Sequence, residues 1–379
     1  MGAPAGSKGY VTVTIVHTKV LETNSHFPWR FDLSKITAAA WWANVSAAGD
    51  IVVVAPDGST IVPRIVDSLD TSGKTGTILW DASVSISVDQ AYQIHTCPGY
   101  GAVNSSAAGT NANCFSYLGF QEASGNFSDP VGGYTGTAIP TITYGQTGQV
   151  RKAIKLDGTA AGVNQGNITQ HANATALTLS FVLFQRVVGQ YGSIFSRKIG
   201  AYQQIQIQSY VDGLMYLYFS NDAGMTNLFY GYTQVQLSSL ISAGVYFHCA
   251  AVWDATQTGN ARLKFYINGV QKTLTYGGAP APATLPPFTG SQPFYIGLVP
   301  GVDFWDGNFN EARQYSAAKS ANWLLTEYNS MFDPGSVATG TWVPAPSSGG
   351  GGLVVGIIIG VGTFLGSIGI GSLARKRKL

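Results

Sequence analysis

Residues 261–274 read ARLKFYINGVQKTL, and this stretch decides the fold. Leu263, Phe265 and Ile267 alternate with Arg262, Lys264 and Tyr266, which is the period of a half-buried strand. Asn268 and Gly269 follow, a dipeptide that accepts positive φ at both centres of a two-residue hairpin turn. The same alternation runs through QQIQIQSYVDGLMYLYF (203–219), where glutamines flank Ile205 and Ile207 and Asp212-Gly213 marks the turn. Further strands lie in ALTLSFVLF (176–184), in DIVVVAPDGSTIVPRI (50–65) on either side of a Pro56-Asp57-Gly58 turn, and in TGTILWDASVSISV (75–88). The expected fold class is therefore all-β. One helix stands out in SANWLLTEYNSMF (320–332), where Ala321, Leu324, Leu325, Tyr328 and Phe332 share a face and Ser320 is the N-cap.

Composition narrows the function classes. Only 11% of the 379 residues are charged, against 47 glycines and 45% hydrophobic content, so the chain has enough apolar surface to fold and its polar surface is mostly uncharged. Four of the 21 basic residues are Arg375, Lys376, Arg377 and Lys378; the remainder is 17 basic against 19 acidic, a net of about −2. No basic patch follows from this, which excludes nucleic acid as a partner.

Catalytic arrangements are missing as well. The four glutamates, Glu22, Glu122, Glu311 and Glu327, lie far apart in sequence, whereas paired-carboxylate glycosidase chemistry on one strand needs closely spaced residues. None of the five histidines sits in a GxSxG or HExxH context, and His248 and Cys249 are strand neighbours that point to opposite faces. The chain is expected not to be an enzyme and to need no cofactor.

Three side-chain sets carry binding expectations. Tyr202, Tyr210, Phe304 and Trp305 are the aromatic residues expected to stack on a glycan. Asp303 and Asp306, with Asn308 and Glu311 in PGVDFWDGNFNE (300–311), have two readings: oxygen ligands for calcium or a sugar, or an ordinary surface turn. Cys97 and Cys114 bracket a Gly, Ser and Asn-rich loop and are read either as a disulfide or as reduced thiols, with Cys249 a buried free thiol. No CxxC spacing suggests zinc. Five N-x-S/T sequons, at Asn44, Asn104, Asn126, Asn167 and Asn173, are as many as this composition supplies by chance.

The expected organisation is two tandem β-sandwich domains and a C-terminal membrane helix. The first sandwich spans 1–130, a Gly, Pro and Thr-rich connection 131–149, the second sandwich 150–335, and a Gly/Ser/Pro linker 336–352. Leu353 to Ala374 are 22 uncharged residues, about 33 Å of helix and enough to cross a bilayer core of about 30 Å, before the basic tail 375–379. The basic end is expected to stay inside and the body outside. Gly352, Gly356, Gly360, Gly362 and Gly366 carry the small-xxx-small spacing that lets membrane helices pack, which points to a homo-oligomer. The first 16 residues contain no signal-peptide core.

A family resemblance adds to this reading. KAIKLDG (152–158), GQYGSIFSRK (189–198), FHCAAVWD (247–254), RLKFYINGV (262–270), FYIGL (294–298) and FNEARQYSAAKSANWLLTEYN (309–329) resemble, in order and spacing, laminin-G-like, concanavalin A-type jelly rolls. FPWRFDL, GDIVVVAPDGSTIVPRI, GTILWDASVSI and GFQEASGNFSDPVGG resemble a β-sandwich domain that often precedes such modules in phage, bacterial and archaeal surface proteins. Neither resemblance by itself gives a function; with the C-terminal anchor and no signal-peptide core, the expectation is a virion or cell-surface spike that attaches to a host glycan or surface protein, alongside other virion proteins. Two alternatives stand: a capsid, turret or sheath component, and a cellular adhesin. For the adhesin, the tail resembles an exosortase sorting signal, from which Val343, Pro344, Ala345 and Pro346 depart at the acidic position.

Overall fold

The hairpin at 268–269 forms as its residues dictate. In this computed structural model, Asn268 has φ 52° and Gly269 φ 72°, and Leu263–Ile267 pairs antiparallel with Val270–Lys272. Glycine has a second role here, because a Cβ on Gly269 would lie 2.6 Å from the Leu325 Cα and block the helix that closes onto the turn. The structure describes residues 3–101, 105–187, 190–199, 202–220, 227–288 and 292–346, without the side chains of 198, 199 and 202–204. Three α-helices occur among these residues, two of a single turn and the longer Ala321–Phe332.

Strands fill the rest in antiparallel sheets. One large sheet runs Thr143–Thr147, Lys152–Asp157, Asp306–Tyr315, Ala176–Gln185, Tyr246–Asp254, Leu263–Ile267 and Val270–Lys272. Facing it across a common core, a nine-stranded sheet runs Leu274–Gly278, Leu228–Thr233, Met215–Ser220, Tyr202–Ser209, Gly192–Ile199, Phe294–Ile296, Gly162–Asn164, Thr135–Ile139 and Phe127–Ser128. The N-terminal region packs a four-stranded sheet (Val337–Pro344, Gly9–Ile15, Gln90–Thr96, Ile51–Val54) with a three-stranded one (Asn24–Asp32, Thr75–Val84, Arg64–Asp70).

The two sandwiches share a layer. On Tyr246–Asp254, Cys249, Ala251 and Trp253 point into the core between the large sheets, while Ala250 and Val252 point into the N-terminal core. Burial on both faces explains why YFHCAAVW is a continuous apolar run where a half-exposed strand would alternate. Met1–Ala345 accordingly forms one compact unit.

Several expected boundaries move. Cys114–Leu118, placed in the first domain by sequence, pairs with Asp306–Tyr315 of the second. The expected connection 131–149 contains two strands, Thr135–Ile139 and Thr143–Thr147, each paired into a large sheet. The expected linker 336–352 begins with a strand, Val337–Pro344, paired to Gly9–Ile15. Thr143–Thr147 and Val337–Pro344 are edge strands that bury little and so lack the apolar alternation by which strands are read, while Cys114–Leu118 is buried on both faces and loses the alternation for that reason. The membrane helix 353–374 and the glycine series Gly352, Gly356, Gly360, Gly362 and Gly366 lie outside the described residues. Among the described residues, no helix is long and apolar enough to cross a membrane.

The helix itself is where sequence placed it, with the Ser320 hydroxyl accepting from the Trp323 amide at 2.9 Å, yet its buried face differs. Trp323, Leu324, Thr326, Glu327 and Met331 face inward, while Ala321 is exposed and Tyr328 and Phe332 half-buried. A charged residue turns inward because its partners are already there. Glu327 accepts from Tyr315 Oη at 2.6 Å, Ser180 Oγ at 2.8 Å and Arg313 at 3.2 Å, and lies 3.2 Å from His248 Nε2. Arg313 also bonds Glu311, which in turn pairs with Arg30 of the N-terminal sheet, and Arg30 reaches Asp67 at 3.5 Å.

Burial alone would raise the Glu327 carboxyl, but the His248 hydrogen bond and the Arg313 charge outweigh it and hold it at about 2. A depressed carboxyl contributes stability above its unfolded value near 4.5 that is lost as pH falls toward 2. Burial pushes the His171 imidazole down to about 3, so its contribution is already falling below pH 6.5. Urea unfolding is therefore expected to show stability declining below pH 6.5 and more steeply below 4.5. Glu327→Gln should cost about 3–5 kcal/mol at pH 7 and flatten the steeper part.

Candidate functional site

Antiparallel register aligns side chains across the nine-stranded sheet. One outward row runs Asn164, Tyr295, Ser196, Gln206, Tyr218, Tyr230 and Gly277; the next runs Ser193, Gln208, Tyr216, Tyr232 and Thr275. The intervening residues Phe195, Ile205, Ile207, Leu217, Phe219 and Phe229 point into the core. Strand alternation thus collects four tyrosines from MYLYFS (215–220) and LFYGYT (228–233) on one half-buried face. Tyr210 and Tyr191 extend it, 37% and 38% exposed, with ring centroids 5.3 Å apart and Tyr210 the same distance from Tyr216.

The rings recline. A Cβ on Gly277 would lie 2.5 Å from the Tyr230 hydroxyl and 2.6 Å from Cζ, so the Tyr230 ring lies across this strand through the space a side chain would occupy. Tyr232, Tyr216 and Tyr218 are tilted from it by 26°, 34° and 39°, and Tyr216 is nearly parallel to Tyr218 (11°) and to Tyr232 (19°). The four rings thus form a near-parallel array across the two strands.

Polar groups rim these rings. Tyr216 Oη donates to Asp212 at 2.9 Å, and Gln208 Nε2 donates to Tyr218 Oη at 3.3 Å. Beneath them, Gln206 Nε2 donates to the buried Asp303 at 3.3 Å, and Tyr191 also bonds Asp303. Burial, with the Asp212 bond, pushes the Tyr216 phenol up to about 12, and burial raises Tyr218 and Tyr191 too. These hydroxyls stay protonated donors near neutral pH. Such an arrangement can stack a planar apolar surface and bond hydroxyls around it.

The sequence-expected residues are distributed differently. Tyr210 is part of the face, but only the backbone of Tyr202 is described. Phe304 lines a separate shallow groove of about 370 Å³ on the same sheet, with Asn164, Tyr295, Leu298 and Pro300. Trp305 is fully buried, its Nε1 3.3 Å from the Phe184 carbonyl and its ring against Phe309, so it cannot be a contact platform. The four-tyrosine grid was missed because each strand was read for its apolar side alone; tyrosine at every second position was the available indication.

The expected cation cluster disperses. Asp303 turns to Gln206, Asp306 pairs with Arg186, Asn308 bonds Tyr246 Oη and Glu311 joins the arginine network, so their oxygens do not converge. Among the described residues no cluster of three His, Cys, Asp or Glu could hold a metal. Cys97 and Cys114 are free thiols, not a disulfide, because they are buried in different clusters: Cys97 with Val52 and Val54, Cys114 in the N-terminal core. Cys249 is also a buried free thiol.

One constellation has the composition of a triad. Ser180 Oγ lies 2.9 Å from His248 Nε2, but Glu327 contacts that same nitrogen, whereas a triad needs the acid on Nδ1. All three are buried, out of reach of a substrate.

Residues 157–324 match the laminin-G family model described as the concanavalin A-like lectin/glucanases superfamily, so this segment is a concanavalin A-like jelly-roll module. No curated protein sequence matches the chain. Among solved structures, the chain is similar to domain 4 of AbnA, an extracellular arabinanase from Geobacillus stearothermophilus solved with arabinotriose. That match has 21% identity, TM-score 0.43, and covers 57% of this chain and 98% of that one. It is also similar to the binding domain of Paraclostridial Mosquitocidal Protein 1 (14%, TM-score 0.46, 59% of this chain and 53% of that one). A third similar structure is the binding domain of botulinum neurotoxin DC with rat synaptotagmin II (10%, TM-score 0.44, 58% and 52%). The chain thus spans about half the length of the two toxin structures.

Thermal unfolding separates the two aromatic roles. Trp305→Ala should cost about 3–5 kcal/mol, and Tyr210→Ala about 0.5 kcal/mol or less.

Proposed function

We propose that this chain is a non-catalytic surface-attachment protein whose jelly-roll module binds a glycan through the tyrosine face. The single observation that carries the reading is the near-parallel grid of Tyr216, Tyr218, Tyr230 and Tyr232, with Gly277 clearing space for Tyr230. Sugar rings present apolar C–H faces to such a surface and hydroxyls to the exposed Asp212 at its edge. Glu311 and Glu327, the glutamates nearest in sequence, are both buried in an ion network, which supports binding over hydrolysis. The uncharged run 353–374, followed by four basic residues, supports a single-pass anchor with the body outside, on a virion or a cell.

The test is a glycan array and a host-cell adsorption assay with the full chain. Binding is expected, and Tyr216→Ala or Tyr232→Ala should each weaken it about tenfold, or ~1.4 kcal/mol. Gly277→Thr should weaken it comparably by displacing Tyr230. Capture of a host protein with no glycan bound, or binding indifferent to all three variants, would overturn the reading.

A further inference from the structure

We infer that the tyrosine face selects uncharged oligosaccharides and rejects anionic ones; this rests on the glycan reading and names its substrate class. Every charged side chain that the described residues place at the face is a carboxylate. Asp212 is exposed at the turn joining Tyr202–Ser209 to Met215–Ser220 and accepts from Tyr216 Oη, and Asp303 lies beneath, bonded by Gln206 and Tyr191. The remaining outward positions of the two rows are Ser, Thr, Asn, Gln, Tyr and Gly.

The nearest arginines are engaged elsewhere. Arg197 follows Ser196 on the same strand, but it donates to the Ile168 carbonyl and to Asn167 with its guanidinium 4.0 Å over the Phe288 ring. Arg186 pairs with Asp306. A sialic acid, uronate or sulfate stacked on these rings would thus meet the exposed Asp212 carboxylate and no free cation among the described residues.

The acceptor balance points the same way. Gln206 and Asp303 are buried and bonded to each other, so Asp212 is the carboxylate a ligand on the rings would meet. The exposed Asp212 carboxylate favours a ligand that brings hydroxyl donors, whereas an anionic group brings a second negative charge to it. Like charge across a partly desolvated contact lowers affinity, and at an exposed position salt screens the effect.

Paired glycans that differ only in a terminal sialic acid or a sulfate test this with the full chain. The neutral member should bind about tenfold more tightly at low salt, with the ratio shrinking in 0.5 M salt. Asp212→Asn should narrow the ratio several-fold, and Asp212→Lys should shift it further toward the anionic member. Equal or tighter binding of the anionic member, or a ratio unmoved by either Asp212 variant, would overturn the selectivity while leaving glycan binding intact. Failure of every pair to bind at all would overturn the glycan reading, and the selectivity with it.

Discussion

A buried chain of opposite charges joins the two halves of this protein. Arg30 from the N-terminal sandwich meets Glu311 on an inner strand of the large sheet; Arg313, two residues on, bridges Glu311 to Glu327 on the helix. Removing four charged groups from water is costly, and the cost is offset only if each has its partner in place. That requirement fixes the rotation of the helix, the register of Asp306–Tyr315 and the docking of the Asn24–Asp32 strand. Pro28 adds its carbonyl to Arg313 at 2.9 Å, so the backbone takes part in the same closure.

Closing that side has a consequence for the other. The sheet carrying Asp306–Tyr315 and Tyr246–Asp254 is covered on both faces, by the core between the large sheets and by the N-terminal core. The nine-stranded sheet has an outward face built of tyrosines, glutamines and hydroxyls rather than aliphatic residues. The same period of two that buries Leu217 and Phe219 sets Tyr216 and Tyr218 outward. Stability and recognition are thus divided between alternate residues of the same strands.

Much of the fold was legible in the residues. The 268–269 turn, the alternating strands and the Ser320 cap follow from local rules, because their energetics are confined to a few neighbouring residues. The strands Cys114–Leu118 and Val337–Pro344 were harder to read, since each pairs with a partner far away in the chain, and Thr143–Thr147 because as an edge strand it buries little. Of the expected ligand residues, Tyr210 sits on the tyrosine face and Phe304 in a neighbouring groove, while Trp305, flanked by acidic Asp306 and aromatic Phe304, proved to be core.

The sequence by itself determined which residues alternate, where the chain turns and that its chemistry offers no adjacent catalytic carboxylates, all properties of short windows. Only the tertiary structure decided which side of each strand faces a core. Period two specifies two faces without saying which one a second sheet will cover. It also decided that Tyr230 lies flat, because Gly277, paired opposite it on a different strand, leaves the space. Glu327 was settled the same way, since a carboxylate turns inward only where distant arginine, histidine and tyrosine side chains have already assembled to receive it.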